Sequence, residues 1–215
     1  MVMNEMDIPM LFVTAFIVGL SGAMMPGPLL TVTIAESARR GFIAGPLITL
    51  GHAILEIALI IALLAGFSIY LQIPAVTSII SAIGGVFLLY LGFNMAKDAI
   101  KGQVILDSNQ NATGKGKNMH PIWAGILISL SNPYWSIYWA TIGLTYLTSA
   151  LKIGIPGVVS FFSGHILADL FWYSLVAAAI AGSRSFISQK IYQNIIVVCG
   201  LFLIGLGGYF ILNLI

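Results

Sequence analysis

The sequence predicts an all-α integral membrane protein with six transmembrane helices, built as two inverted three-helix repeats with both termini outside. Three observations lead there: a composition too apolar for water, six long runs nearly free of charge, and motifs that recur in the same order in both halves. Of the 215 residues, 59% are hydrophobic and only 7% charged, and the mean hydropathy is +1.02. A soluble domain carries about 25% charged residues, and a disordered chain is far more polar than this one. The net charge of +2 is small and dispersed, which speaks against nucleic acid as a partner. A single cysteine, Cys199, cannot form an internal disulfide, and no Cys/His spacing suggests a zinc motif. Neither a cofactor nor a dedicated metal loop is expected.

The spans follow in order. Met1 to Asp7 holds two acids and no basic residue, so it reads as the lead-in to a first span and not as a cleaved leader. The runs are Ile8 to Ala35, Gly41 to Tyr70 (interrupted by Glu56), Ala75 to Ala96, Met119 to Leu151, Ile153 to Gly182 (interrupted by Asp169) and Ile191 to Ile215. Each exceeds the roughly 20 residues that cross a hydrocarbon layer of about 30 Å. None alternates polar and apolar as a barrel strand does, so the spans are helical. With six spans, Arg39, Arg40, Lys97, Lys101, Lys115, Lys117, Arg184 and Lys190 fall on one side and Lys152 alone on the other. Basic loops stay in the cytoplasm, which puts both termini outside. The whole chain, 1–215, is then one transmembrane domain: a first repeat over about 8–97, a cytoplasmic linker over about 97–119 and a second repeat over about 120–215. Asp107 to Lys117 has linker composition.

The repeat rests on three correspondences. Gly51-His52-Ala53-Ile54-Leu55-Glu56 answers to Gly164-His165-Ile166-Leu167-Ala168-Asp169. Gly85 to Gly92 answers to Gly200 to Gly207, with five of eight positions identical. Pro26 and Pro28 break the first span, and Pro133 breaks the fourth. An odd number of spans per half inserts the second copy upside down, and inverted repeats with broken helices are a signature of secondary transporters. Simple duplication without a surviving site is the plainer reading, but costly intramembrane acids stand at equivalent places in both copies.

Glu56 and Asp169 are the only acids deep in the apolar runs, each near the middle of its span. His52 and His165 precede them by four residues, on the same helical face. Desolvation and a neighbouring imidazolium act on such a carboxylate in opposite senses, so each pair is expected to exchange a proton as a cavity wets and dries. A static interhelical hydrogen bond is the bland alternative. The prolines add a second element. Pro26, Pro28 and Pro133 free the carbonyls of Gly22, Met24 and Ser129, and Gly27 lets the chain bend. Freed carbonyls suit an ammonium group, and a helix restarting after the break offers amides to a carboxylate. A zwitterion fits both, with Asn132 as a further polar contact. Tyr134, Trp135, Tyr138 and Trp139 lie too deep for an interfacial belt. They are expected to wall a cavity that attracts a cation, with ordinary core packing as the alternative. Gly41-xxx-Gly45 hints at a homo-oligomer, and Glu36 with Arg39 and Arg40 reads as a solvated membrane edge.

Pro26-Gly27-Pro28, Gly51-His52, Leu88-Leu89-Tyr90-Leu91-Gly92 and Asn132-Pro133, in that order and placement, resemble the LysE/RhtB amino-acid exporter family. The resemblance covers nearly the whole chain. It implies a prokaryotic inner-membrane efflux protein, not an enzyme, that exports amino acids or close relatives, with protons as the coupling partner. Many members follow the fourth-span Asn-Pro with Lys; Tyr134 here is similar to a divergent branch and leaves the substrate open. The wider superfamily also includes metal-ion exporters, and two imidazoles with two carboxylates suit a borderline metal ion. Two further readings remain at this point: a passive channel, and a serine protease built on Gly19-Leu20-Ser21-Gly22 with His165 as base.

Overall fold

A computed structural model describes residues 7–67, 70, 73–103, 119–183 and 188–213. The linker centre, Lys115, Lys117 and Arg184 lie outside the described residues. Those described are helical apart from turns and breaks, with no strand among them. The helices are α1 (Ile8–Ala23), α2 (Pro28–Arg40), α3 (Ala44–Ala62), α4 (Pro74–Ile100), α5 (Pro121–Leu130), α6 (Pro133–Tyr138), α7 (Leu144–Ile153), α8 (Ile155–Gly182) and α9 (Gln189–Leu212). Wider π turns extend α3 over Leu63–Phe67 and join α6 to α7 over Trp139–Gly143.

Proline organises the starts. Pro9, Pro28, Pro74, Pro121, Pro133 and Pro156 each stand in the first turn of a helix. There the missing N–H costs nothing and the fixed φ is already helical. Asp7 caps α1 by accepting from the Met10 amide at 2.9 Å. Gly41 (φ 81°) ends α2 and Gly154 (φ 86°) separates α7 from α8, both in backbone conformations that favour glycine.

Four helical stretches are long and apolar enough to cross a membrane: Ala44–Phe67, Pro74–Ile100, Ile155–Gly182 and Gln189–Leu212. At 24 to 28 residues they reach beyond a hydrocarbon layer of about 30 Å. α1 and α2 together make a fifth candidate, bent by 75° where Pro26, Gly27 and Pro28 interrupt the ladder. The fourth apolar run of the sequence is divided at Asn132–Pro133 into α5 and the α6–α7 stretch and is not among the four. The described helices thus number four or five of membrane length, where the sequence reading expects six.

Packing relies on glycines that let backbones touch. A Cβ on Gly92 would stand 2.5 Å from Gly200 O, and one on Gly207 would stand 2.6 Å from Gly85 O, so α4 and α9 lie antiparallel with main chains in contact. Gly51 of α3 meets Ile122 O of α5, while Gly164 of α8 meets Phe12 O of α1. Gly45 is used in the same way, against Tyr173 O of α8 at 2.5 Å for a built Cβ, so the face read as an oligomerisation hint is covered within the chain. Three apolar clusters stack along the bundle. One joins the ends of α2 and α4 to the start of α9 through Ala35, Ala38, Ala99 and Tyr192. The opposite one joins the starts of α1 and α8 to the end of α3 through Leu11, Ile60, Val158 and Phe161. A third includes Ile48, Ile128 and Tyr173.

Candidate functional site

α3 and α8 bring four side chains to one place. His52, Glu56, His165 and Asp169 are 6%, 0%, 5% and 4% exposed, and one ligand atom from each lies within 4.8 Å of all the others. The i,i+4 spacing sets each histidine and its acid on one helical face, and the two faces oppose each other. Glu56 Oε1 is the hub. His52 Nε2 lies 3.1 Å from it and His165 Nε2 3.2 Å, the latter across helices. Two indoles complete its shell: Trp139 Nε1–H donates at 2.9 Å and Trp135 Nε1–H at 3.2 Å. Asp169 is held more loosely. Its Oδ2 stands 3.5 Å from His52 Nε2 and 3.7 Å from His165 Nε2, at ion-pair and not hydrogen-bond distance. Glu56 Oε2 and Asp169 Oδ2 have no hydrogen-bond donor.

The outer ring nitrogens are also engaged. His52 Nδ1 pairs with Ser129 Oγ of α5 at 2.7 Å, and His165 Nδ1 with Tyr138 OH at 3.3 Å. Tyr138 stacks on the His165 ring (5.4 Å, 21°) and Phe161 lies near-parallel at 6.2 Å. Gly19 of α1 makes room: a Cβ there would stand 2.9 Å from His165 Nδ1.

The remaining predicted residues are placed as follows. Trp135, Tyr138 and Trp139 adjoin the cluster, but the indoles serve Glu56 as N–H donors and do not offer it a ring face. Tyr134 is 46% exposed and packs edge-on against Phe210 of α9. At the breaks, Gly22 O accepts from the Met25 amide (3.1 Å) and Ser129 O from the Asn132 amide (3.1 Å). Local turns therefore use two of the three carbonyls expected to be free, because a chain turning at proline brings a following amide back within reach. Asn132 Oδ1 accepts from the Tyr134 amide at 3.1 Å and caps α6, whereas Gly27 begins α2 without any side-chain cap. Pro28 and Pro133 are buried and Pro26 is exposed. Ser21 Oγ donates to Val18 O at 2.7 Å, within its own helix. Glu36 binds Arg39 (3.0 Å) and Arg40 (2.6 Å), and Arg40 also reaches Met119 O at 3.3 Å, so this edge links α2 to the start of the second half. The sequence draws attention to Ser129 and Gly19 for other reasons, with no sign that the Ser129 hydroxyl serves His52 or that Gly19 makes room for His165.

Residues 20–214 match the LysE type translocator family. The chain belongs to that family. It is 26% identical over 201 residues to the chemotactic transduction protein ChpE of Pseudomonas aeruginosa, covering 92% of this chain and 96% of that one. It is 31% identical to an uncharacterized membrane protein of Haemophilus influenzae, over 83% of each chain. It is 24% identical to the threonine efflux protein of Escherichia coli K12, over 80% of this chain and 82% of that one. No solved structure matches it. The family is one of translocators and not of enzymes, and this member is a multi-pass protein of the inner cell membrane.

Proposed function

We propose that this protein is a secondary-active exporter of amino acids or related small zwitterions, coupled to protons and working by alternating access. One observation carries the reading: two histidines and two acids from two different helices are buried together inside the bundle. Ionisable groups at that depth are expensive and in membrane proteins mark ion and substrate pathways. A threonine efflux protein among the relatives agrees with an amino-acid cargo.

The architecture belonging to this reading has six spans, with α1–α2 and the α5–α7 stretch as broken ones, arranged as inverted repeats over about 8–97 and 120–215. Several contacts support it. Gly164 of α8 against α1 repeats what Gly51 of α3 does against α5, and the Gly85–Gly207 contact of α4 with α9 is returned by Gly92 with Gly200. The cluster of Ala35, Ala99 and Tyr192 gathers the helix ends that carry Arg39, Arg40, Lys97 and Lys190, whereas Lys152 belongs to the last turn of α7. That grouping agrees with a basic cytoplasmic end and outside termini.

In this mechanism the cargo carboxylate meets the uncapped amides that open α2, and its ammonium meets the carboxylates and aromatic rings near α6. A proton taken from outside loosens the His–acid cluster; its release inside resets it. Acidifying the outside therefore speeds export, and a protonophore stops accumulation against a gradient. The test is efflux from cells expressing the protein, screened with toxic amino-acid analogues. Resistance with faster efflux is expected. Full efflux in a Glu56→Gln, Asp169→Asn double variant at equal membrane abundance would remove the proton role, and tolerance to no amino acid would remove the cargo.

A further inference from the structure

The four central side chains have more order than a proton relay needs. The Nε2-to-oxygen separations are 3.1 and 3.2 Å to Glu56 Oε1 and 3.5 and 3.7 Å to Asp169 Oδ2. A tetrahedral ion with bonds of about 2.0–2.1 Å holds its ligands about 3.3–3.4 Å apart. Both imidazoles turn Nε2 to the same centre, and both have a hydroxyl on Nδ1, Ser129 for His52 and Tyr138 for His165. A histidine that ligates through one nitrogen almost always has its other nitrogen fixed by such a partner, and ligating carboxylates are likewise hydrogen-bonded from outside. Trp135 and Trp139 do that for Glu56. Asp169 is 4% exposed, and its Oδ2 faces both Nε2 atoms with no donor of its own. A buried unsatisfied oxygen calls for a partner.

We infer that His52 Nε2, His165 Nε2, Glu56 and Asp169 form a tetrahedral binding site for a borderline divalent transition-metal ion, of the Zn2+, Co2+ or Ni2+ class. Imidazole nitrogen and carboxylate oxygen select that class over Mg2+ or Ca2+, which prefer six or more oxygens. Four protein ligands leave no open position, so a bound ion excludes both proton and cargo ammonium from these carboxylates until it leaves, and it offers no Lewis-acid catalysis. An ion there joins α3 to α8 directly and displaces the protons on Nε2, so metal and protons compete for one place.

The experiment uses the full-length protein in detergent, stripped with a chelator and titrated with Co2+ alone. One equivalent per chain and the intense visible absorption of tetrahedral cobalt are expected, with Zn2+ abolishing the band and raising the thermal midpoint. Ser129→Ala, which leaves all four ligands in place, weakens binding at least tenfold, and His52→Ala with His165→Ala removes the band. Folded wild-type protein with no tetrahedral cobalt spectrum overturns the site, as does binding unchanged in Ser129→Ala and in the double variant. The cobalt spectrum needs no transport, so failure of the exporter reading in metal-free efflux assays leaves this result standing, and the reverse also holds.

Discussion

Glu56 on α3 and Asp169 on α8 stand at matching points of their helices, each four residues after a histidine and each sealed from solvent. Their surroundings differ. Four nitrogens crowd Glu56 Oε1 between 2.9 and 3.2 Å, whereas Asp169 Oδ2 faces, among the described residues, the two imidazoles at 3.5 and 3.7 Å. The difference lies in two indoles: Trp135 and Trp139 point their N–H groups at Glu56 Oε1. Two helices with the same acid–imidazole spacing thus differ in the donors around their acids. Glu56 is the tightly held acid of the pair, and Asp169 the loosely held one.

The sharpest way to break that contrast is to delete each carboxylate. Glu56→Ala leaves buried donors with no acceptor and is expected to cost about 3 kcal/mol or more, read as a large drop in the thermal midpoint and in membrane yield. Asp169→Asn removes the charge but few bonds, so about 1 kcal/mol is expected, with export abolished all the same. Equal destabilisation by the two would refute the division of roles. Next come the indoles. Trp139→Phe keeps the ring volume closely but loses a hydrogen bond to an acid, worth about 1.5–3 kcal/mol, and should cost more than Trp135→Phe, whose bond is longer and only half-buried. Denaturation of both in one detergent decides the order.

Gly19→Ala drives a methyl group into the His165 ring and backbone, with an expected cost of about 1–3 kcal/mol, while Gly22→Ala, with open space around it, should change stability little. A difference in efflux between these two variants reports on the His165 side of the site. The smallest effect is at the caps. Asn132→Ala should lose about 1 kcal/mol with its bond to the Tyr134 amide, and Gly27→Ala has no side-chain cap to lose. Melting curves under matched lipid conditions separate the two breaks.

Much of this could be read from the chain. Hydropathy outlined the apolar runs, and spacing of four put His52 with Glu56 and His165 with Asp169 on shared faces. Opposition of those two faces was the further step, and the recurrence of Gly-His in both halves pointed to it. Periodicity groups Trp135 with Trp139 but does not give the rotation of their helix, so the sequence leaves a cavity wall and core packing with satisfied polar tips both open, and the N–H partner of the two indoles, Glu56, is visible only in the structure. The same gap concealed Tyr134, which a turn of the helix carries to Phe210. Free carbonyls were predicted from proline's missing donor alone, and the turns that reclaim Gly22 O and Ser129 O depend on how the chain leaves the helix. Nor does residue order announce the π turn at Trp139–Gly143.

The α4–α9 contact limits where this protein can flex. Gly85, Gly92, Gly200 and Gly207 each take a carbonyl of the opposite helix into a notch with no side chain. A slide of even part of a turn would drive those oxygens into the neighbouring Leu89 or Ile204, so the two helices act as a keyed beam and not as a sliding rail. Any rearrangement must therefore swing around that beam, and the 75° elbow at Gly27 opens the helix, α2, that packs against it through Leu29 and Val32.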